Sequence, residues 1–159
     1  MTVRNRMLAT FAVVAITLGL SLPSRSVSAI GGCHKVKGHE SAVLNTETGT
    51  ASGVITQGGI LNGTTLVVLT SDFTPTPDPS TFSFTDDFTL TTARGVLVTH
   101  NVTITNFASG VGTAIAHIDP NASTGVFAGA TGVLYLNAIT PDGGATSEAE
   151  ITGEICFAD

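Results

Sequence analysis

The chain is 159 residues long, 42% hydrophobic and only 11% charged, which by size is room for one domain. Twelve Asp and Glu stand against six Lys and Arg, and three of those cations, Arg4, Arg6 and Arg25, fall in the N-terminal segment. The remainder then carries a formal charge of about −9, a surface that repels phosphate backbones and anionic lipid heads, which argues against nucleic acid as a partner; the plainer reading is that the charge serves solubility.

Residues 1–29 read as a secretory signal peptide. Arg4 and Arg6 precede an apolar run from Met7 to Leu22, and Val27-Ser28-Ala29 supplies a small-residue cleavage site. The apolar run falls short of the ~20 residues that a membrane-spanning helix needs, and no other stretch qualifies. The expectation is a secreted, extracytoplasmic domain over 30–159 without a membrane span.

The two cysteines, Cys33 and Cys156, sit near opposite ends of that domain. In an oxidising compartment, and with no metal-like spacing around either, they read as a disulfide. Closing so long a loop is worth roughly 4 to 5 kcal/mol in the chain-entropy model.

Beyond Cys33, Val, Thr, Ile and Phe recur in period-two runs broken by Gly, Pro, Asn and Asp, with no sustained helical period. That pattern predicts an all-β fold. Eight strands are expected, over 33–44, 52–61, 64–72, 81–91, 95–106, 111–119, 132–140 and 145–157. Asn62-Gly63 reads as a two-residue hairpin turn, with Gly58-Gly59 before it as a bulge. The prolines from Pro75 to Pro79 mark a surface loop. Asn62, Asn101 and Asn121 open glycosylation sequons, which matter only if the host glycosylates.

The fourth and fifth strands are the most informative pair. Phe82, Phe84, Asp86, Phe88 and Leu90 share one face of the fourth, and Val96, Val98, His100, Val102 and Ile104 share one face of the fifth. A short turn near Ala93 would set Leu90 against Val96 and Asp86 against His100 on the inner wall, and the alternation argues against a one-residue slip. At the end of the chain, a turn over residues 141–144 pairs Leu134 with Ile151 and leaves Tyr135 outside, opposite Glu150. Setting Cys33 opposite Cys156 then places Lys35 against Glu154 and His39 against Glu150. Such a seam closes an eight-stranded antiparallel barrel between its first and last strands, with a two-sheet sandwich as the alternative architecture.

The segment Ser123-Thr-Gly-Val-Phe-Ala-Gly-Ala-Thr-Gly-Val-Leu134 resembles the Gly-x-Phe-x-Gly-Ala-x-Gly segment of the allene oxide cyclase and dirigent superfamily, and it falls, as there, before the second-to-last strand. The resemblance implies an eight-stranded barrel, often a homo-oligomer, that binds an apolar small molecule and in some members steers cyclisation or radical coupling without a cofactor. No catalytic residue carries over, because the family's catalytic positions lie on earlier strands where no motif aligns.

Alternation puts Glu40 on the inner face of the first strand, and Glu40, Asp86 and His100, the ionisable residues expected on the inner wall away from strand ends, are the candidate ligand-binding residues, with Asp86 and His100 as an acid/base pair if there is catalysis. The alternative reading of the same residues is a buried polar pair that satisfies itself in the wall. No metal site is expected, since His34, His39 and His117 stand at no metal-like spacing from carboxylates. A Gly-x-Ser-x-Gly elbow is missing, and the glycine-rich segment leads into a strand, which argues against phosphate binding. The sequence thus points first to a secreted barrel that binds an apolar small molecule, next to a cofactor-free cyclase, isomerase or dirigent-type protein, and last to a solid-cored extracellular structural protein.

Overall fold

A computed structural model describes residues 31–141 and 144–158. The expected signal peptide and the middle of the 141–144 turn lie outside the described residues. The strands are β1 (Gly32–Asn45), β2 (Thr50–Thr56), β3 (Gly63–Leu69), β4 (Thr74–Pro75), β5 (Thr81–Thr92), β6 (Gly95–Asn106), β7 (Val111–Ile118), β8 (Thr131–Ile139) and β9 (Thr146–Phe157). Neighbours pair antiparallel, β1 meets β9, and β3 meets β5 directly, so eight strands close into a barrel while the two-residue β4 lies beside β5 as an extra edge.

The seam between β1 and β9 has the expected register. Cys33 opposes Cys156, Lys35 opposes Glu154 and His39 opposes Glu150, and the two cysteines form a disulfide. The polar contacts run one step along the diagonal: Lys37 pairs with Glu150, and His39 Nε2 lies 2.9 Å from Glu148. Twisted strands bring such diagonal neighbours within reach of long side chains.

Several expected details differ, and Pro75, expected in a surface loop, lies in the edge strand β4, where a proline's missing N–H costs nothing. Asn62 is extended rather than left-handed, and the β2–β3 connection is a 3-10 turn over Gly59–Leu61 that buries Leu61, with Asn62 Oδ1 accepting from the Gly58 N–H at 2.7 Å. This turn ends β2 at Thr56, earlier than expected. In the last hairpin Leu136, not Leu134, faces Ile151, and Tyr135 lies outside opposite Thr152 rather than Glu150. A slip of two keeps every face and so is invisible to alternation.

The glycine segment forms the entry to β8. Gly125 and Gly129 have positive φ, a 3-10 turn spans Gly125–Phe127, and Phe127 is driven fully into the core. A Cβ at Gly125 would stand 2.3 Å from the Arg94 carbonyl oxygen, and one at Gly132 would stand 2.1 Å from that of Glu154. Glycine is needed at both for backbones to touch.

Packing is uneven along the barrel axis. At the end carrying the disulfide, Leu61, Phe88, Leu90, Leu97, Phe127 and Ile155 are essentially inaccessible and fill the interior. Toward the other end the inward positions shrink: Ala42 on β1, Ala51 on β2, Gly112 and Ala114 on β7, Ala138 on β8, and Ser147 and Ala149 on β9. Side chains this small cannot meet across an eight-stranded barrel, so the sequence itself leaves that end hollow.

Candidate functional site

The hollow end is a cavity of about 600 Å³, within the range of small-molecule sites. Its walls are mainly apolar, with Ala42, Leu69, Leu136 and Ala149 among them, and Phe73, Phe84 and Phe107 also line it. Phe73, from the loop before β4, packs edge-on against Phe84 at 4.9 Å and Phe107 at 5.6 Å between ring centroids. Such edge-to-face contacts hold the rings in place while leaving apolar surface for a guest.

Two acidic side chains line this apolar cup. Glu40 and Asp86 are only 5% and 4% exposed. Glu40 Oε1 accepts a hydrogen bond from the Thr65 hydroxyl at 2.5 Å. Asp86 accepts from Asn101 Nδ2 at 2.7 Å and from the Thr103 hydroxyl at 2.6 Å, while the Thr99 hydroxyl donates to Asn101 Oδ1 at 2.7 Å. Every buried side-chain oxygen and nitrogen among the described residues has a partner, as a low-dielectric interior requires.

Both carboxyl groups are held above their ordinary range. For Glu40, burial outweighs the Thr65 hydrogen bond, and the charge of Asp86 adds to the rise. For Asp86, burial outweighs donation by Thr103 and Asn101, and the neighbouring Asp87 adds to the rise. Desolvation disfavours the charged form, so these groups hold their protons to higher pH than exposed carboxyls do.

His100 does not face the interior, where alternation puts it. It lies on the outer wall, where Asp87 opposes it on β5, and Asp86 opposes Asn101 instead. The cause is the β5–β6 turn. Thr92 pairs with Gly95, leaving the two residues Ala93 and Arg94 as the loop, so Leu90 meets Leu97 and the face of β6 inverts. Val102 and Ile104 therefore point outward, half exposed, while Leu97, Thr99 and Asn101 point in. Both faces of β6 carry strand-forming residues, and the inward one is the one that can donate to Asp86.

Outside, His100 Nδ1 lies 2.7 Å from Asp87 Oδ1 and Nε2 lies 3.2 Å from Asp119 Oδ2. Hydrogen bonds to Asp87, then to Asp119, raise its pKa. Asp119 Oδ1 also accepts from the Asn121 and Ala122 N–H groups, so this cluster ties β5 and β6 to the loop before the glycine segment.

The structure thus brings Glu40 and Asp86 to one cavity and removes His100 from it. The side chains not anticipated are Thr65, Thr99, Asn101 and Thr103. They were legible in principle, because a carboxyl group on an inward face requires donors at cross-strand positions. Asn101, which opens one of the sequons, is buried here and so out of reach of modification in the folded protein.

The sulfurs of Cys33 and Cys156 lie near a Glu154 oxygen, but the disulfide leaves no thiolate there to ligate a metal. A shallow trough of about 710 Å³ runs along the outer wall past Ile104, Val111 and Ile139, and among the described residues no ionisable side chain lines it. None of the helices among the described residues is long and apolar enough to cross a membrane. No protein-family model matches the chain, and neither does any curated protein sequence.

Proposed function

We propose that this is a secreted, extracytoplasmic barrel of the allene oxide cyclase and dirigent type that binds an apolar small molecule in its hollow end. One observation carries the reading: the inward positions shrink to Ala, Gly and Ser at one end only, around about 600 Å³ of mainly apolar space with fixed polar groups in its wall. The intramolecular disulfide and the signal-like first residues support export. The hollow end weighs against a solid-cored structural protein.

A cyclase or steering activity would rest on residues other than the pair Asp86 and His100. Asp86 and His100 cannot act together on one ligand from opposite sides of the wall. What favours a second reading is that Glu40 and Asp86, held above the ordinary carboxyl range by burial, would be the proton donors to a bound substrate.

Titration with a neutral naphthyl fluorophore tests the binding reading. The expected result is saturable, blue-shifted emission that is lost when Ala138→Phe fills the cavity. Emission that never saturates, or that survives Ala138→Phe unchanged, would count against it.

A further inference from the structure

Among the described residues, the cavity is lined by two acidic groups and no basic one. Its lining contains Glu40 and Asp86 but no Lys, Arg or His. The basic side chains of the described residues, Lys35, Lys37 and Arg94, are exposed, as are all four histidines. Uncharged hydroxyl and amide groups satisfy the two carboxyls. An apolar pocket that needed only polar anchors could use those hydroxyls and amides alone. Two carboxyl groups placed among them, each nine-tenths or more buried, raise the cost of ionisation, and no basic side chain among the described residues lines the cavity to offset it.

A guest that brings the missing positive charge would offset that cost, whereas an anionic guest would add a third like charge. Resting on the binding reading above, we infer that the hollow end selects organic cations. The guest is an amine whose apolar body lies among Phe73, Phe84, Leu69 and Leu136 and whose ammonium group reaches Glu40 and Asp86. The aromatic side chains add attraction for a cation passing between them, and the ammonium gains charge-assisted hydrogen bonds to buried carboxyl groups.

Three probes with one apolar body decide the matter: adamantylamine, adamantanol and adamantanecarboxylate, titrated calorimetrically into the disulfide-bonded protein at neutral pH. The amine should bind about ten- to a hundredfold more tightly than the alcohol, the worth of a charge-assisted hydrogen bond, and the carboxylate should bind weakest. Lowering the pH into the range where Glu40 and Asp86 protonate should erase the preference. Glu40→Gln should bring the amine-to-alcohol affinity ratio toward one, and Asp86→Asn provides a second variant should the first fold poorly. His100→Asn, on the outer wall, should leave the ratio unchanged.

Equal binding of amine and alcohol, or tighter binding of the carboxylate, would overturn the cation preference while leaving the binding reading intact. Failure of all three probes and of the naphthyl fluorophore would overturn both.

Discussion

The two ends of the barrel are built from the same eight strands and differ in what points inward. At the disulfide end, Phe88, Leu97, Phe127 and Ile155 meet in a dry core. At the other end the same strands offer Ala, Gly, Ser and Thr around two carboxyl groups and a cavity. One end therefore supplies stability, and the other is free to carry polar groups around a cavity. A disulfide and the close backbone contacts at Gly125 and Gly132 reinforce the first, and turns and a small aromatic cluster border the second.

The largest expected effect comes from damaging the filled end. Phe127→Ala removes a fully buried ring and should lower unfolding stability by about 3 to 5 kcal/mol, measured as a drop in the urea midpoint. Ala138→Phe at the hollow end should move that midpoint far less, since the new ring enters open space. Equal losses at the two positions would show that the ends are not packed differently.

Next in size is the disulfide. Replacing Cys33 and Cys156 with Ser should cost about 2 to 5 kcal/mol, read from thermal melts under oxidising conditions. Hydrogen exchange should rise first along β1 and β9, where these residues pair.

A smaller effect separates the buried carboxyls from the surface ones. Glu40 and Asp86 have folded-state pKa values above their ordinary 4.5 and 3.8. Their contribution is therefore fully favourable below those ordinary values and is lost as pH rises through the raised ones. Asp78 and Glu150, whose pKa values are lowered by hydrogen bonds, act in the opposite sense: their contribution is present above the ordinary values and lost as pH falls. Glu40→Gln should remove part of the first trend only, so the difference in stability between variant and parent should grow in the variant's favour as the pH rises from acid toward neutral. A difference independent of pH would contradict the assignment.

The smallest effect belongs to the outer wall. The contribution of His100, whose pKa is raised by Asp87 and Asp119, is present below its ordinary 6.5 and lost as pH rises through the raised value. In His100→Asn that weak pH dependence should vanish, and added salt should mask it in the parent.

How much of this was legible depended on how many constraints met at one place. The β1–β9 seam carried a disulfide, alternating faces and opposite charges, and all three demanded the same register. At β5 and β6 only alternation was in hand, and β6 has two credible faces, Val-Val-His-Val-Ile and Leu-Thr-Asn-Thr. The length of the turn at Ala93 and Arg94 decided between them, and the need of Asp86 for donors pointed the same way. The slip of two at Leu136 and Ile151 preserved every face and left no trace in the pattern. The hollow end was written in the row of small residues from Gly112 to Ala114 and in Ala138 and Ala149, but their meaning depends on which strands face one another across the axis.

A methyl-resolved NMR titration with an apolar amine tests the central claim most directly. Shifts confined to Ala42, Ala114, Leu136, Ala138 and Ala149, with Leu61, Leu97 and Ile155 unmoved, are the expected result. Shifts centred on Val102, Ile104 and Ile115 of the outer wall, or spread evenly over both ends, would contradict a barrel that is sealed at one end and receptive at the other.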